Sequence, residues 1–226
     1  MSQYSTLLFD ADETLLDFPF AENSAIKSVC DKFGIKYNQD IFHTYSNINL
    51  ALWKQFEKGI VTRDVIKIRR FEQFAEVVGT SASPKEMADY YVTSLSLFGK
   101  TLDGAEDLCR KLSSKYDMYI VTNGLAPVQK SRLNKCGLLP FFKGVFISEE
   151  TGSQKPEKAF FDFVFDRITE KDTSKICIIG DSMTSDILGG INAGIDTCFY
   201  NPLNKPIIYS PTYTAKNYGD ISKIFG

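Results

Sequence analysis

Short apolar runs ended by polar or glycine residues occur at five places in the chain and predict β-strands. The predicted strands cover residues 7–9, 118–121, 144–147, 175–179 and 197–200. Runs of this kind are typical of buried strands in a parallel sheet. Apolar residues at helical spacing fill most of the intervals, at residues 104–116, 126–136, 157–168 and from about 184. Strands alternating with helices predict an α/β fold, a doubly wound parallel sheet with right-handed crossovers.

The segment from residue 17 to residue 99 contains no strand of this kind, and its apolar residues recur at helical spacing throughout. Glycines stand where three of its helices would end, and a Ser–Pro pair would open the next. These residues are Gly34, Gly59, Gly79 and Ser83–Pro84. The pattern therefore predicts two domains: an α/β core of residues 1–16 and 100–226, and an inserted all-helical domain of residues 17–99.

Composition and charge exclude several classes of function. A formal net charge of −2 gives no general attraction to a nucleic-acid polymer or to an anionic membrane. No apolar run approaches the roughly 20 residues that span a bilayer. The N-terminus lacks the basic and apolar regions of a signal peptide, so we expect a cytoplasmic protein. Five dispersed cysteines without a CxxC pair fit reduced thiols, and the single histidine, His43, excludes histidine triads and zinc clusters.

Two carboxylates follow the first predicted strand directly. Asp10 and Asp12 are two residues apart, so an extended backbone places them roughly on the same side. Ligands of open α/β sheets lie just beyond the carboxyl ends of the strands. Two like charges so close together are costly unless a cation or a shared proton compensates them. The simpler alternative is a solvated acidic turn.

Three further strand ends carry polar residues that could join the same site. They are Thr122, Asn123 and Gly124 after one strand, Lys155 after another, and Asp181 with Asp186 after a third. The turn after Thr122 could present backbone N–H groups to an anion. Taken singly, these residues could equally be helix caps or a solvated lysine. Taken together, four independent strand ends indicate one common site.

These residue types suit phosphoryl transfer through an aspartyl phosphate. A carboxylate is a recognised nucleophile for such intermediates, and carboxylate oxygens are the ligands that Mg²⁺ prefers. A lysine and a threonine hydroxyl can stabilise the phosphoryl oxygens. Asp12 is left to protonate the departing alkoxide and then to activate water. The sequence therefore predicts a Mg²⁺-dependent phosphomonoesterase.

In order and spacing, these motifs resemble those of the haloacid dehalogenase (HAD) superfamily of phosphatases. The matching motifs are DADET from Asp10, Thr122, Lys155 and DSMTSD from Asp181. The resemblance implies that Asp10 is the nucleophile and Asp12 the general acid/base. It also implies that Mg²⁺ is held by Asp10, the backbone carbonyl of Asp12 and Asp181, with Asp186 in support. The core would be Rossmann-like, and residues 17–99 would form a type-1 cap, a lid over the substrate.

A narrower resemblance concerns the substrate. The runs FDADETLLDF, TNG, ISEETGSQKP and GDSMTSDILGGINAG resemble those of bacterial pyrimidine 5′-nucleotidases. This implies a small-molecule partner, a pyrimidine nucleoside 5′-monophosphate. Other small phosphates, such as phosphoglycolate or a sugar phosphate, remain the alternative within the fold. An alternative of another class is a phospho-aspartate receiver module, although a compact receiver lacks an insert of this length.

Phe18, Trp53 and Arg63 are the candidate substrate contacts within the insert. Trp53 or Phe18 could stack on a base, and Arg63 lies in a predicted loop after Gly59. The helical spacing of Trp53 with Leu50 and Phe56 favours a place in the core of the insert instead. The sequence does not define the oligomeric state.

Overall fold

The structure, a computed structural model, describes residues 3–226. They form two compact units, residues 3–17 with 99–226 and residues 18–98. The first unit contains a parallel sheet in the order β3-β2-β1-β4-β5-β6. Its strands are β1 (Thr6–Phe9), β2 (Asp117–Thr122), β3 (Gly144–Ile147), β4 (Ile176–Gly180), β5 (Asp196–Tyr200) and β6 (Tyr213–Ala215).

The helices divide between the two units. The second unit consists of α1 (Phe18–Phe33), α2 (Gln39–Glu57), α3 (Arg63–Val78) and α4 (Pro84–Leu95). The first contains α5 (Ala105–Ser113), α6 (Ala126–Lys135), α7 (Ser148–Thr151), α8 (Lys158–Arg167), α9 (Leu188–Ala193) and α10 (Tyr218–Phe225). A π-helical stretch, Met183–Ile187, leads into α9. No helix among residues 3–226 is long and apolar enough to cross a membrane.

The sheet is covered by helices on both faces. Successive side chains of a strand point to opposite faces, so Leu7 and Phe9 belong to one apolar cluster and Leu8 to another. The first cluster includes residues of α5 and α10, and the second includes residues of α8 and α9. The prediction of a doubly wound α/β core with a helical insert is confirmed. The edge strand β6 and helix α10 were not predicted. A strand of three residues is too short to show a run of apolar residues in the sequence.

Strand order reverses between β1 and β4, which are neighbours in the sheet although far apart in sequence. In doubly wound sheets the crevice for ligands opens at this point, beyond the carboxyl ends of the strands. Asp10 directly follows β1, and Asp181 directly follows β4. The topology therefore brings these two carboxylates to the same place.

The helical unit ends its helices largely where the sequence indicates. Gly34 and Gly79 both have φ +68, a left-handed conformation that favours glycine at a helix C-terminus. Ser83 caps α4, its side chain accepting a hydrogen bond from the Glu86 N–H. The face of α2 differs from the prediction, because Leu52 is buried whereas Leu50 is 53% exposed. The buried stripe of α2 includes a polar residue, Asn49. Because a polar residue interrupts the apolar pattern, the sequence does not show which face of α2 is buried.

Candidate active site

Three charged side chains form a buried chain of ion pairs at the carboxyl ends of β1 and β4. The ammonium of Lys155 lies 2.6 Å from Asp10 Oδ1 and 2.6 Å from Asp186 Oδ1. It also donates to the backbone carbonyl of Val121, at 2.8 Å. Lys155 and Asp186 have side chains only 1% exposed. All donors of this lysine are thus used to hold two carboxylates against the end of β2.

The carboxylates of Asp10, Asp181 and Asp186 come together as one group. One oxygen of each lies within 4.8 Å of the others. Gly180 permits the approach of Asp186, because a Cβ at residue 180 would come within 2.3 Å of the Asp186 carboxyl group. Three clustered carboxylates are the hard oxygen donors that Mg²⁺ prefers. The donor set of this structure therefore fits the predicted metal.

Burial and mutual repulsion shape the titration of this group. Burial raises the pKa of the Asp10 carboxyl well above its usual range; Lys155 opposes this shift, and Asp186 and Asp181 add to it. Burial likewise raises the pKa of Asp181 to about 7, against the effect of Lys205. Burial alone would lower the pKa of Lys155, but Asp10 and Asp186 raise it. The cluster is therefore short of positive charge, which a divalent cation could supply.

The turn after β2 ties Thr122, Asn123 and Gly124 to the same region. The Asn123 side chain accepts from the Lys155 N–H at 3.0 Å and donates to the Lys155 carbonyl at 2.8 Å. The Thr122 hydroxyl oxygen accepts from the Gly124 N–H at 3.2 Å. Asn123 thus fixes the loop that carries Lys155. Contacts of Thr122, Asn123 and Gly124 with substrate stay a prediction.

Asp12 is held by two residues that the sequence analysis did not predict. Arg132 and Gln129, both in α6, donate to its two carboxylate oxygens. Both belong to the buried stripe of α6, residues 128, 129, 132 and 133, which is half polar. The sequence pattern therefore gives no signal for either residue. Lys205, in the loop after β5, was also missed; its ammonium lies 2.6 Å from Asp181 Oδ2. The pattern of an irregular loop gives no signal for such a residue.

The three predicted contacts of the insert lie in the helical unit. Trp53 packs at the edge of a small apolar cluster with Leu52, and its ring meets that of Phe56 edge-on at 5.4 Å. Arg63 begins α3, not a loop, and its guanidinium lies 4.8 Å from the centre of the Phe56 ring. Phe18 is the first residue of α1 and is partly buried. Substrate contact by these residues stays a prediction.

The fold and this site define a class of protein, and comparison with known proteins gives the same class. A model of haloacid dehalogenase-like hydrolases matches residues 4–194. The chain therefore belongs to this family and is a hydrolase, as the motifs predicted.

Three individual relatives are similar to this chain over nearly its whole length. The HAD hydrolase YfnB of Bacillus subtilis is 41% identical over 99% of this chain and 96% of its own length. The crystal structure of YfnB bound to magnesium matches with a TM-score of 0.94 over 98% of both chains. Pyrimidine 5′-nucleotidase PynA of Streptococcus pneumoniae is 38% identical over 96% of this chain and 93% of its own. Pyrimidine 5′-nucleotidase YjjG of Escherichia coli is 30% identical over 98% of both.

Proposed function

We propose that this hydrolase is a Mg²⁺-dependent phosphatase that acts through an aspartyl phosphate on pyrimidine nucleoside 5′-monophosphates. The observation that carries the proposal is the position of Asp10. This carboxylate lies at the end of β1, 2.6 Å from a buried ammonium and in one group with two other carboxylates. The ammonium holds the nucleophile in place, and the carboxylate group would bind a divalent cation that supplies the positive charge a phosphoryl group needs.

In the proposed reaction, a free oxygen of Asp10 attacks phosphorus while the ester P–O bond breaks. Asp12 gives its proton to the departing ester oxygen, which leaves as the nucleoside hydroxyl. Water then attacks the phosphorus of the aspartyl phosphate, and Asp12 takes back a proton. Inorganic phosphate leaves and Asp10 is regenerated. Lys155 and the Thr122 hydroxyl stay in place throughout and stabilise the charge on the phosphoryl oxygens.

Asp10 and Asp181 would hold the metal together with the backbone carbonyl of Asp12. Asp186 would support these ligands without being a main ligand itself. Bound Mg²⁺ supplies positive charge next to the phosphoryl oxygens, which lowers the cost of bringing a dianion to a carboxylate. Support for this choice comes from the donor set and from YfnB, whose structure was determined bound to magnesium.

Mg²⁺ should raise the thermal unfolding temperature of the protein, because the carboxylate cluster that binds it exists in the folded state and not in the unfolded chain. At 100 times its Kd, a ligand stabilises the folded state by about 2.7 kcal/mol. Differential scanning fluorimetry over a Mg²⁺ series measures the shift. Asp181→Asn should remove most of this shift, whereas Asp162→Asn, at an exposed position of α8, should keep it. An equal shift in both variants would contradict the proposed metal site.

The nucleotide as substrate is proposed from the relatives and from the helical unit. PynA and YjjG are named pyrimidine 5′-nucleotidases. The helical unit is inserted in the chain soon after Asp10 and Asp12, and we propose that it is a lid that contacts the nucleoside. The YfnB structure is described as revealing interdomain movement, which agrees with a mobile lid.

UMP, dUMP or dTMP should therefore be hydrolysed with a kcat/KM about 10-fold or more above that of ribose 5-phosphate and phosphoglycolate. The core residues act on the phosphoryl group that all these esters share. Contacts to the base add binding energy that can help to close the lid and order the catalytic groups. Phosphate release at one Mg²⁺ concentration compares the esters. Equal or faster hydrolysis of the base-free esters would contradict the nucleotidase proposal and leave the phosphatase proposal intact.

A further inference from the structure

Both oxygens of the Asp12 carboxylate accept hydrogen bonds from one helix, α6. Arg132 Nη1 lies 2.5 Å from Asp12 Oδ1, and Gln129 Nε2 lies 2.6 Å from Asp12 Oδ2. The Arg132 side chain is 1% exposed, and Gln129 is 1% exposed, whereas the Asp12 side chain is 28% exposed. The donors are therefore fixed in the interior, while the carboxylate they hold can be reached from solvent.

The two donors, which we call the Asp12 clamp (Gln129 and Arg132), are joined to each other and to the turn after β2. They stand three residues apart on one helix face, and Arg132 Nη1 lies 3.3 Å from Gln129 Oε1. Gln129 Nε2 also lies 3.0 Å from Thr122 Oγ1. A Cβ at residue 124 would come within 2.5 Å of Gln129 Nε2, so Gly124 leaves the space that the glutamine occupies.

Stability alone does not account for an arginine at this position. An ion pair withdrawn from water recovers its desolvation cost only with excellent geometry, and apolar residues of similar volume often stabilise a fold equally well. Arginine is almost never fully buried unless it is paired. Here Arg132 is paired with the carboxylate that the proposed mechanism uses twice for proton transfer. The arrangement points to a role in that transfer.

We propose that Gln129 and Arg132 are positioning residues, which hold the Asp12 carboxylate in the orientation required for both proton transfers. The inference rests on the proposed phosphatase mechanism. Each carboxylate oxygen has about two acceptor positions, so one hydrogen bond to each leaves room for the transferred proton. Misplacement of a reacting group by about 1 Å can cost about 100-fold in rate. The shared contact of Gln129 with Thr122 sets the distance between the proton donor and the phosphoryl group.

Esters with different leaving groups test this role. Arg132→Met and Gln129→Met should each lower kcat/KM for UMP about 10- to 100-fold, because its alkoxide needs a proton to depart. For p-nitrophenyl phosphate kcat/KM should change little, since p-nitrophenolate leaves without one. Water activation should still be slow, so rapid mixing should show a burst of p-nitrophenol close to one equivalent of enzyme. Merely weakened folding would lower both rates together.

Three further variants complete the experiment. Lys130→Met changes an exposed residue of the same helix and should leave both esters at the wild-type rate. Arg132→Lys keeps a cationic donor and should recover part of the UMP activity. Gly124→Ala should lower the UMP rate as well, because its Cβ would displace the Gln129 side chain. Equal losses on both esters, or no loss on either, would overturn the inference. Failure of the wild-type protein to release phosphate from either ester would instead contradict the proposed function.

Discussion

Asp10→Asn is expected to abolish phosphate release, with a fall in kcat of at least about 10³-fold. An amide nitrogen or oxygen is a poor nucleophile, so no aspartyl phosphate can form. The amide is also a weaker ligand for Mg²⁺ than a carboxylate. Phosphate release from UMP at saturating Mg²⁺ measures the loss. A rate near that of the wild type would show that the covalent mechanism is wrong.

The fold of this variant should survive, which separates lost chemistry from lost structure. Lys155 keeps two partners, Asp186 Oδ1 and the Val121 carbonyl, after Asp10 loses its charge. Burial and the neighbouring carboxylates already disfavour the charged form of Asp10, as its raised pKa indicates. Circular dichroism and the urea midpoint should therefore stay close to those of the wild type. Asp162→Asn serves as a control with the same chemical change on the surface.

The sheet and the catalytic motifs could be predicted because both depend on local patterns. Each central strand is a short apolar run, and its end is marked by the residues that lie in the site, such as Asp10 after β1 and Thr122 at the end of β2. The carboxyl ends of parallel strands lie at the same end of the sheet. Residues that follow different strands in the sequence are therefore close together in space. Lys155 and Asp186 lie several residues beyond the ends of β3 and β4, and both side chains belong to the same buried group as Asp10.

Buried polar residues explain most of what the sequence did not reveal. On α2, the predicted apolar face included Leu50, but the buried stripe contains Asn49. Asn49 donates to Glu22 Oε1 at 2.7 Å and accepts from Arg70 Nη1 at 3.1 Å. A buried polar group costs free energy unless such partners satisfy it. Because Glu22 and Arg70 are more than 20 residues away along the chain, periodicity cannot detect the pairing.

The same reason hides the Asp12 clamp. Gln129 and Arg132 read as the polar face of a surface helix, and their partner Asp12 stands 117 and 120 residues earlier. Only the three-dimensional contact distinguishes a buried arginine from a solvated one. Sequence reasoning therefore identified the residues proposed to react with the phosphate, and it missed those that hold them in place.

Lys155→Met is expected to lower the free energy of unfolding by about 3–5 kcal/mol, a large part of the usual 5–15 kcal/mol. The substitution removes the ammonium that lies between Asp10 and Asp186 and leaves two carboxylates crowded in the interior. A methionine fills similar volume, so lost packing contributes little. Urea unfolding followed by circular dichroism measures the loss through the shift of the midpoint.

A control and a metal titration show whether charge is the cause of this loss. Lys158→Met removes an exposed lysine paired with Asp162 across one helical turn and should change stability by no more than about 0.5 kcal/mol. Mg²⁺ should restore part of the stability of Lys155→Met, because it brings positive charge to the same carboxylates. Phosphate release should remain low even then, since the proposed reaction also needs Lys155 beside the phosphoryl oxygens. Wild-type stability in Lys155→Met without metal would contradict the electrostatic account of this cluster.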